Sequence, residues 1–136
     1  MITKNYVNRL SYQIVGCAIE VHKHLGPGLL ESVYHVCLLD ELKMSGLEVQ
    51  SQVHVPVQYK DRDLGGILKL DFLINDLIVI EIKAVDIMIP LYKAQLLSYL
   101  KLADKPKGFL INFHCDNITN QLVPMVTEKF ALLPEK

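Results

Sequence analysis

Two charges interrupt one of the most apolar runs in the chain, Leu77-Ile78-Val79-Ile80-Glu81-Ile82-Lys83. So many branched apolar residues in so short a run read as a buried strand. Alternate residues of a strand face opposite ways, so Ile78, Ile80 and Ile82 share one side while Val79, Glu81 and Lys83 share the other. A carboxylate and an ammonium are therefore aimed together out of an apolar segment. Withdrawing such charges from water costs several kcal/mol unless they are paired or bind a metal. The ordinary alternative is a solvated ion pair at a strand end.

The strand before it, Ile67 to Ile74, carries Asp71, and Asn75-Asp76 between the two is a hairpin signal. Register decides whether the acids meet. A two-residue loop pairs Asp71 with Ile80 and puts Asp71 and Glu81 on opposite faces. A three-residue loop, or a bulge, brings Asp71 opposite Glu81. We expect this second register, because it gathers Leu70, Phe72, Ile74, Ile78, Ile80 and Ile82 into one apolar layer and turns Asp71 the other way. Two carboxylates and a lysine so placed form a minimal kit for metal-assisted phosphodiester hydrolysis.

The rest of the chain alternates helical and strand patterns. Thr3 or Asn5 caps a first helix with Val7, Leu10, Ile14, Ala18, Val21 and Leu25 at spacings of three and four, ended by Gly26-Pro27-Gly28. A second helix is expected from about Leu29 to Met44, with Leu30, Val33, Cys37 and Leu42 as apolar positions and Gly46 as its stop. Val49, Val53, Val55, Val57 and Tyr59 alternate as a strand in which Pro56 favours an edge or a bulge, and Asp61 to Gly66 is a turn. Pro90 to Leu102 reads as a third helix, Gly108 to Phe113 as a buried strand, and Asn120 to Val126 as a closing strand or short helix. With no internal repeat or linker, residues 1–136 are expected to form one α/β domain.

Bulk properties narrow the function. Fourteen basic and fifteen acidic residues give a net charge of -1, with Arg9 and Arg62 the only arginines. No molecule-wide field attracts polyanions, so any nucleic-acid contact is local or assembled from a homodimer or a partner protein. Cys17, Cys37 and Cys115 are odd in number and widely spaced, which argues against a disulfide framework and a structural zinc site. Neither a signal-peptide core nor a membrane-length apolar stretch is present, so a cytoplasmic location without membrane contact is expected. His22 and His24 point about 200 degrees apart on a helix, and His35, His54 and His114 are isolated, so a histidine metal site is not expected. Lys93, Lys101, Lys105 and Lys107 form the best local basic patch, fit for a phosphate track or for an ordinary solvated helix end.

Gly28-Leu29-Leu30-Glu31-Ser32-Val33-Tyr34 resembles the signature of the GxxExxY protein family, and Asp71 with Glu81-Ile82-Lys83 resembles the core motif of the PD-(D/E)XK nuclease superfamily to which that family is assigned. Gln95-Leu96-Leu97-Ser98-Tyr99 resembles the QxxxY helix of RecB-like branches. The resemblance spans roughly Asn5 to Pro124. It implies a restriction-endonuclease-like α/β fold, a mixed central sheet flanked by helices, and a metal-dependent nuclease acting on DNA, with RNA as a further possible substrate. It further implies that Asp71, Glu81 and the backbone carbonyl of Ile82 ligate Mg2+ or Mn2+ and that Glu31 joins them, directly or through water. Lys83 then orients the attacking water or neutralises phosphoryl charge. Gln95 and Tyr99 either line the cleft, holding substrate phosphate or Lys83, or belong to an amphipathic core helix. Tyr34 is expected to pack or to hydrogen-bond Glu31. Two other readings stay open: a nuclease-fold module that binds nucleic acid or protein without catalysis, and hydrolysis of another phosphate compound such as a nucleotide.

Overall fold

In the computed structural model, which describes residues 1–136, the sheet is organised around the hairpin that carries the acids. Thr3 Oγ1 accepts the Tyr6 N–H at 3.1 Å and starts α1 (Lys4–Leu25), which leaves the helix at Gly26 with φ +66°. Its buried stripe contains the expected Val7, Leu10, Ile14, Ala18 and Val21. α2 (Glu31–Met44) follows. β1 (Val49–Val55), β4 (Leu68–Ile74), β5 (Ile78–Lys83), β6 (Lys107–Asn112) and β7 (Leu122–Val126) form one sheet in the order β1-β4-β5-β6-β7. Only β5 and β6 run parallel, and α3 (Pro90–Ala103) supplies the crossover that a parallel pair needs. A single turn of 3-10 helix (Ile118–Gln121) precedes β7, and α4 (Glu128–Ala131) follows it. This is the mixed sheet flanked by helices that the sequence led us to expect.

The two faces of the sheet have separate cores. α1 and α2 cover Phe72, Ile74, Ile78, Ile80, Ile82, Phe109 and Ile111, whereas α3 places Leu96 and Leu100 against Leu70, Leu73, Val79 and Leu110. Both faces being covered explains why β5 is apolar on each side of its alternation.

Three local expectations are corrected. α2 buries Tyr34, Leu38 and Leu42 rather than Leu30, Val33 and Cys37, and Leu30 is 75% exposed. Leu30 has extended backbone and stands outside the helix, while Tyr34 brings the larger apolar surface and stacks on Phe113 with ring centroids 4.8 Å apart. The strand expected to run on to Tyr59 stops at Val55, before Pro56. Gln58–Tyr59 (β2) then folds back on Arg62–Asp63 (β3), so part of the expected turn is a small hairpin. Finally, Leu70 belongs to the α3 side rather than to the layer of Phe72 and Ile74. Strict alternation forbids Leu70 and Leu73 from sharing a face, so the strand breaks its pleat between them, at Asp71.

Candidate active site

Asn75 and Asp76 both adopt positive φ, 50° and 57°, and the Leu77 N–H returns to the Ile74 carbonyl at 2.9 Å. Asparagine and aspartate tolerate this left-handed turn better than other side-chain-bearing residues do. Pairing resumes at Ile74 with Ile78 and continues through Leu73 with Val79 and Phe72 with Ile80, so Leu77 joins the loop and the register is the odd one. Asn75 is itself pinned, its Oδ1 accepting the Glu48 N–H at 2.9 Å. The next step of the ladder sets Asp71 across from Glu81.

At that step side chains replace backbone partners. The Asp71 N–H donates to Glu81 Oε2 at 2.7 Å, and the Ile82 N–H donates to Asp71 Oδ2 at 2.8 Å. On the other flank, β1–β4 pairing passes from Ser51–Phe72 to Val53–Leu70 and skips Gln52, which has φ +56°. A glutamine held in left-handed backbone inside a strand stores strain, on the order of 1–3 kcal/mol. The distortion releases Asp71 from its ladder partner in β1 and lets its N–H turn toward Glu81. Each carboxylate is thus fixed through one oxygen, with the other left for a ligand.

Glu81 is only 7% exposed. Burial, and next the charge of Asp71, push its carboxyl up to about 8, against the easing effects of the Asp71 N–H bond and Lys83. Glu31 is also raised, by burial first and then by Asp71, with Lys83 opposing. Glu31 therefore shares the field of the acid pair. It gets there because Glu31, Tyr34, Leu38 and Leu42 lie on one stripe of α2, the stripe turned to the sheet. Glu31, Asp71 and their neighbours line a cavity of about 280 Å3 together with Ser32, His35, Val36 and Gln52. No three acidic, histidine or cysteine side chains close into a tight metal cage; the tight pair is Asp71 and Glu81, and Glu31 lines the cavity together with Asp71.

α3 lies against the other face of the sheet and reaches Lys83 from there. Lys83 Nζ sits 4.7 Å from the centroid of the Tyr92 ring, a cation–π contact that holds the ammonium beside the acids. Burial raises Tyr99, Glu81 and then Asp71 raise it further, and a hydrogen bond from Gln95 opposes them. Tyr92, Gln95 and Tyr99 fall at i, i+3 and i+7, one face of the helix. Tyr99 thus shares the field of the acids, with Gln95 bonded to it, and also packs against the core on the α3 side; Tyr92, which contacts Lys83 one turn earlier, is not singled out by the sequence. His35 was missed too. It lies four residues after Glu31, its Nε2 bonds Ser51 Oγ at 2.8 Å, and its ring stacks on Phe72 at 4.2 Å. Burial holds its imidazole below the usual range. The i, i+4 spacing from Glu31 was the available signal.

Tyr34 does not touch substrate space or bond Glu31. Its ring is fully buried, and its hydroxyl donates to the Gly26 carbonyl at 2.6 Å while accepting the Leu29 N–H at 3.2 Å. It ties down the loop in which Gly28 takes φ +97° and so aims the first turn of α2. We expect Tyr34→Phe to lose about 1 kcal/mol of stability, read as a lower Tm. An unchanged Tm would show that the loop holds itself.

A family model of the PD-(D/E)XK nuclease superfamily matches residues 8–123. Two chains of solved structures match as well. One, described as the crystal structure of SSO0001, is 25% identical with a TM-score of 0.48, over 69% of this chain and 48% of its own length, so the present chain spans about half of it. No curated protein matches. No helix is long and apolar enough to cross a membrane. Because the family match runs from Asn8 to Val123 and takes in Glu31, the Asp71–Glu81 pair and Lys83, the chain belongs to the PD-(D/E)XK nuclease superfamily.

Proposed function

We propose that residues 1–136 act as one metal-dependent nuclease domain that hydrolyses phosphodiester bonds in DNA. The observation that carries this reading is the Asp71–Glu81 pair, each carboxylate locked by a backbone N–H from the other's strand and each with an oxygen to spare. A carboxyl pushed up to about 8 by its burial, and next by a neighbouring carboxylate, is a site that gains from a cation. The donor set is all oxygen and suits Mg2+ or Mn2+. Asp71 and Glu81 would hold the ion. The Ile82 carbonyl would be a third ligand, since the Ile82 N–H points at Asp71 and the two groups of one strand residue point the same way. Glu31 would complete the set through water. When bound, the cation supplies Lewis acidity to the scissile phosphate and acidifies a water.

The remaining work falls to the chain. Lys83, steadied by Tyr92, offsets charge that develops on the phosphoryl oxygens, which is where fixed charge accelerates such reactions most. Gln95 and Tyr99 line the cleft beside it and present hydrogen-bond donors to a phosphate. Glu31 accepts hydrogen bonds from water and orients it. With a net charge of -1, a homodimer or a partner protein would supply the remaining surface for DNA.

The test is incubation of the purified protein with single-stranded, duplex and branched DNA, RNA and nucleotides in Mg2+ or Mn2+, with EDTA and Glu81→Ala as controls. Cleavage of DNA that vanishes in both controls supports the reading. Cleavage of nucleotides alone would redirect it to another phosphate compound. Binding without cleavage of any substrate would replace it with a non-catalytic module, and cleavage surviving Glu81→Ala would place the chemistry elsewhere.

A further inference from the structure

A cavity of about 560 Å3 lies away from the acids, between the first half of α1 and the β6–β7 edge. Asn5, Asn8, Arg9 and Tyr12 line it from α1 at i, i+3, i+4 and i+7, a polar stripe separate from the one that packs on the sheet. Lys107 and Phe109 line it from β6. No carboxylate does so, and the ion pairs of the protein use neither Arg9 nor Lys107. Lys107 is half-buried, with Nζ 5.3 Å from the Phe109 centroid and 5.9 Å from that of Phe130. Those rings account for the lysine's position. They do not account for an unpaired arginine and two amides converging on the same space.

We propose that this groove binds a nucleotide through its phosphate. Arginine and lysine together, in a groove that no carboxylate lines, recognise a phosphate. The cavity falls within the size range of small-ligand sites and exceeds the needs of a bare anion. Tyr12, 80% exposed, presents a ring on which a base can stack, and Asn5 and Asn8 supply donors and acceptors for its edges. A bound phosphate would also relieve Lys107, whose ammonium burial holds below its usual range. The same chemistry has two sources, a free mononucleotide or the phosphorylated end of a strand. The site is distinct from the acidic one: the two cavities share no lining residue, and Lys107 lies beside Ile78 while Glu81 lies beside Leu110.

Calorimetric titration with a nucleoside 5′-monophosphate in EDTA tests it. Saturable binding is expected, weakened at least about tenfold by Arg9→Ala with Lys107→Met, unchanged in Glu81→Gln, and absent for the unphosphorylated nucleoside. Should the double variant misfold, Arg9→Ala alone, at an exposed position, should weaken binding several-fold, and the Lys107 ammonium, followed by NMR, should titrate at higher pH when ligand is bound. Competition by a 5′-phosphorylated oligonucleotide would identify a strand end as the source, and its failure to compete a free nucleotide. Absence of saturation, full affinity in the Arg9 and Lys107 variants, or loss of binding in Glu81→Gln would overturn the proposal.

Discussion

Asp71→Asn is expected to lower DNA cleavage by about 10^3-fold, the scale on which losing one fixed electrostatic contact at a reacting centre acts, while leaving the chain folded. The substitution is isosteric. Its amide oxygen can still accept the Ile82 N–H that Asp71 Oδ2 accepts at 2.8 Å, so the side-chain bridge between β4 and β5 survives. What is lost is a charge. The same loss relieves Glu81, because the charge of Asp71 is the second cause, after burial, of its raised pKa. An inactive variant at least as stable as the parent would therefore locate the defect in catalysis and not in folding. Lys83→Met should fall in the same range and Lys83→Arg should recover part of the loss, since a guanidinium keeps the charge but not the point geometry over Tyr92. Single-turnover cleavage beside thermal unfolding of each variant reads both quantities. Activity within tenfold of the parent in Asp71→Asn would remove Asp71 from the reaction.

How much of this was legible in the sequence follows from the range of each interaction. The hairpin register was readable because it is local: Asn75-Asp76 accept positive φ, and the apolar alternation on either side leaves one register that buries the isoleucines and joins the acids. The capping of α1 by Thr3 and the stops at Gly26 and Gly46 are equally local. The packed face of α2 was not, because Leu30 and Val33 look like core residues until Tyr34 meets Phe113, 79 positions away, and settles the rotation of the helix. Tyr92 and His35 belong to the same class, their roles set by Lys83 and Ser51 on strands that only the fold brings near. Gln52 is the extreme case. Nothing in its neighbours signals left-handed backbone, and the distortion makes sense only beside Asp71, whose N–H it releases to Glu81. Such a departure from local rules falls where a functional site is expected.

The raised pKa of Glu81 makes metal-free stability depend on pH with a definite sign. In the unfolded chain the carboxyl ionises near 4.5; in the folded chain it keeps its proton until about 8. Between those values the folded state binds the extra proton, so stability falls as pH rises through the window and levels off above it. The slope is at most about 1.4 kcal/mol per pH unit, which over the window amounts to a few kcal/mol, a large share of the stability of a small domain. Glu31, also raised, adds a contribution of the same sign. In EDTA, Tm should therefore drop between pH 5 and pH 8.5, and Glu81→Gln, which has no proton to lose, should flatten that drop and be the more stable protein at the alkaline end. Mg2+ should reverse the trend. A cation competes with the proton for the same oxygens, so its stabilisation should be small at pH 5.5, where Glu81 is protonated, and should grow by pH 8.5 as mass action draws the ionised form into the complex. A metal-free Tm that rises with pH across this window, or a Mg2+ effect equal at both ends, would mean that Glu81 is ionised in the folded chain without help, and the argument that the acid pair requires a cation would fail.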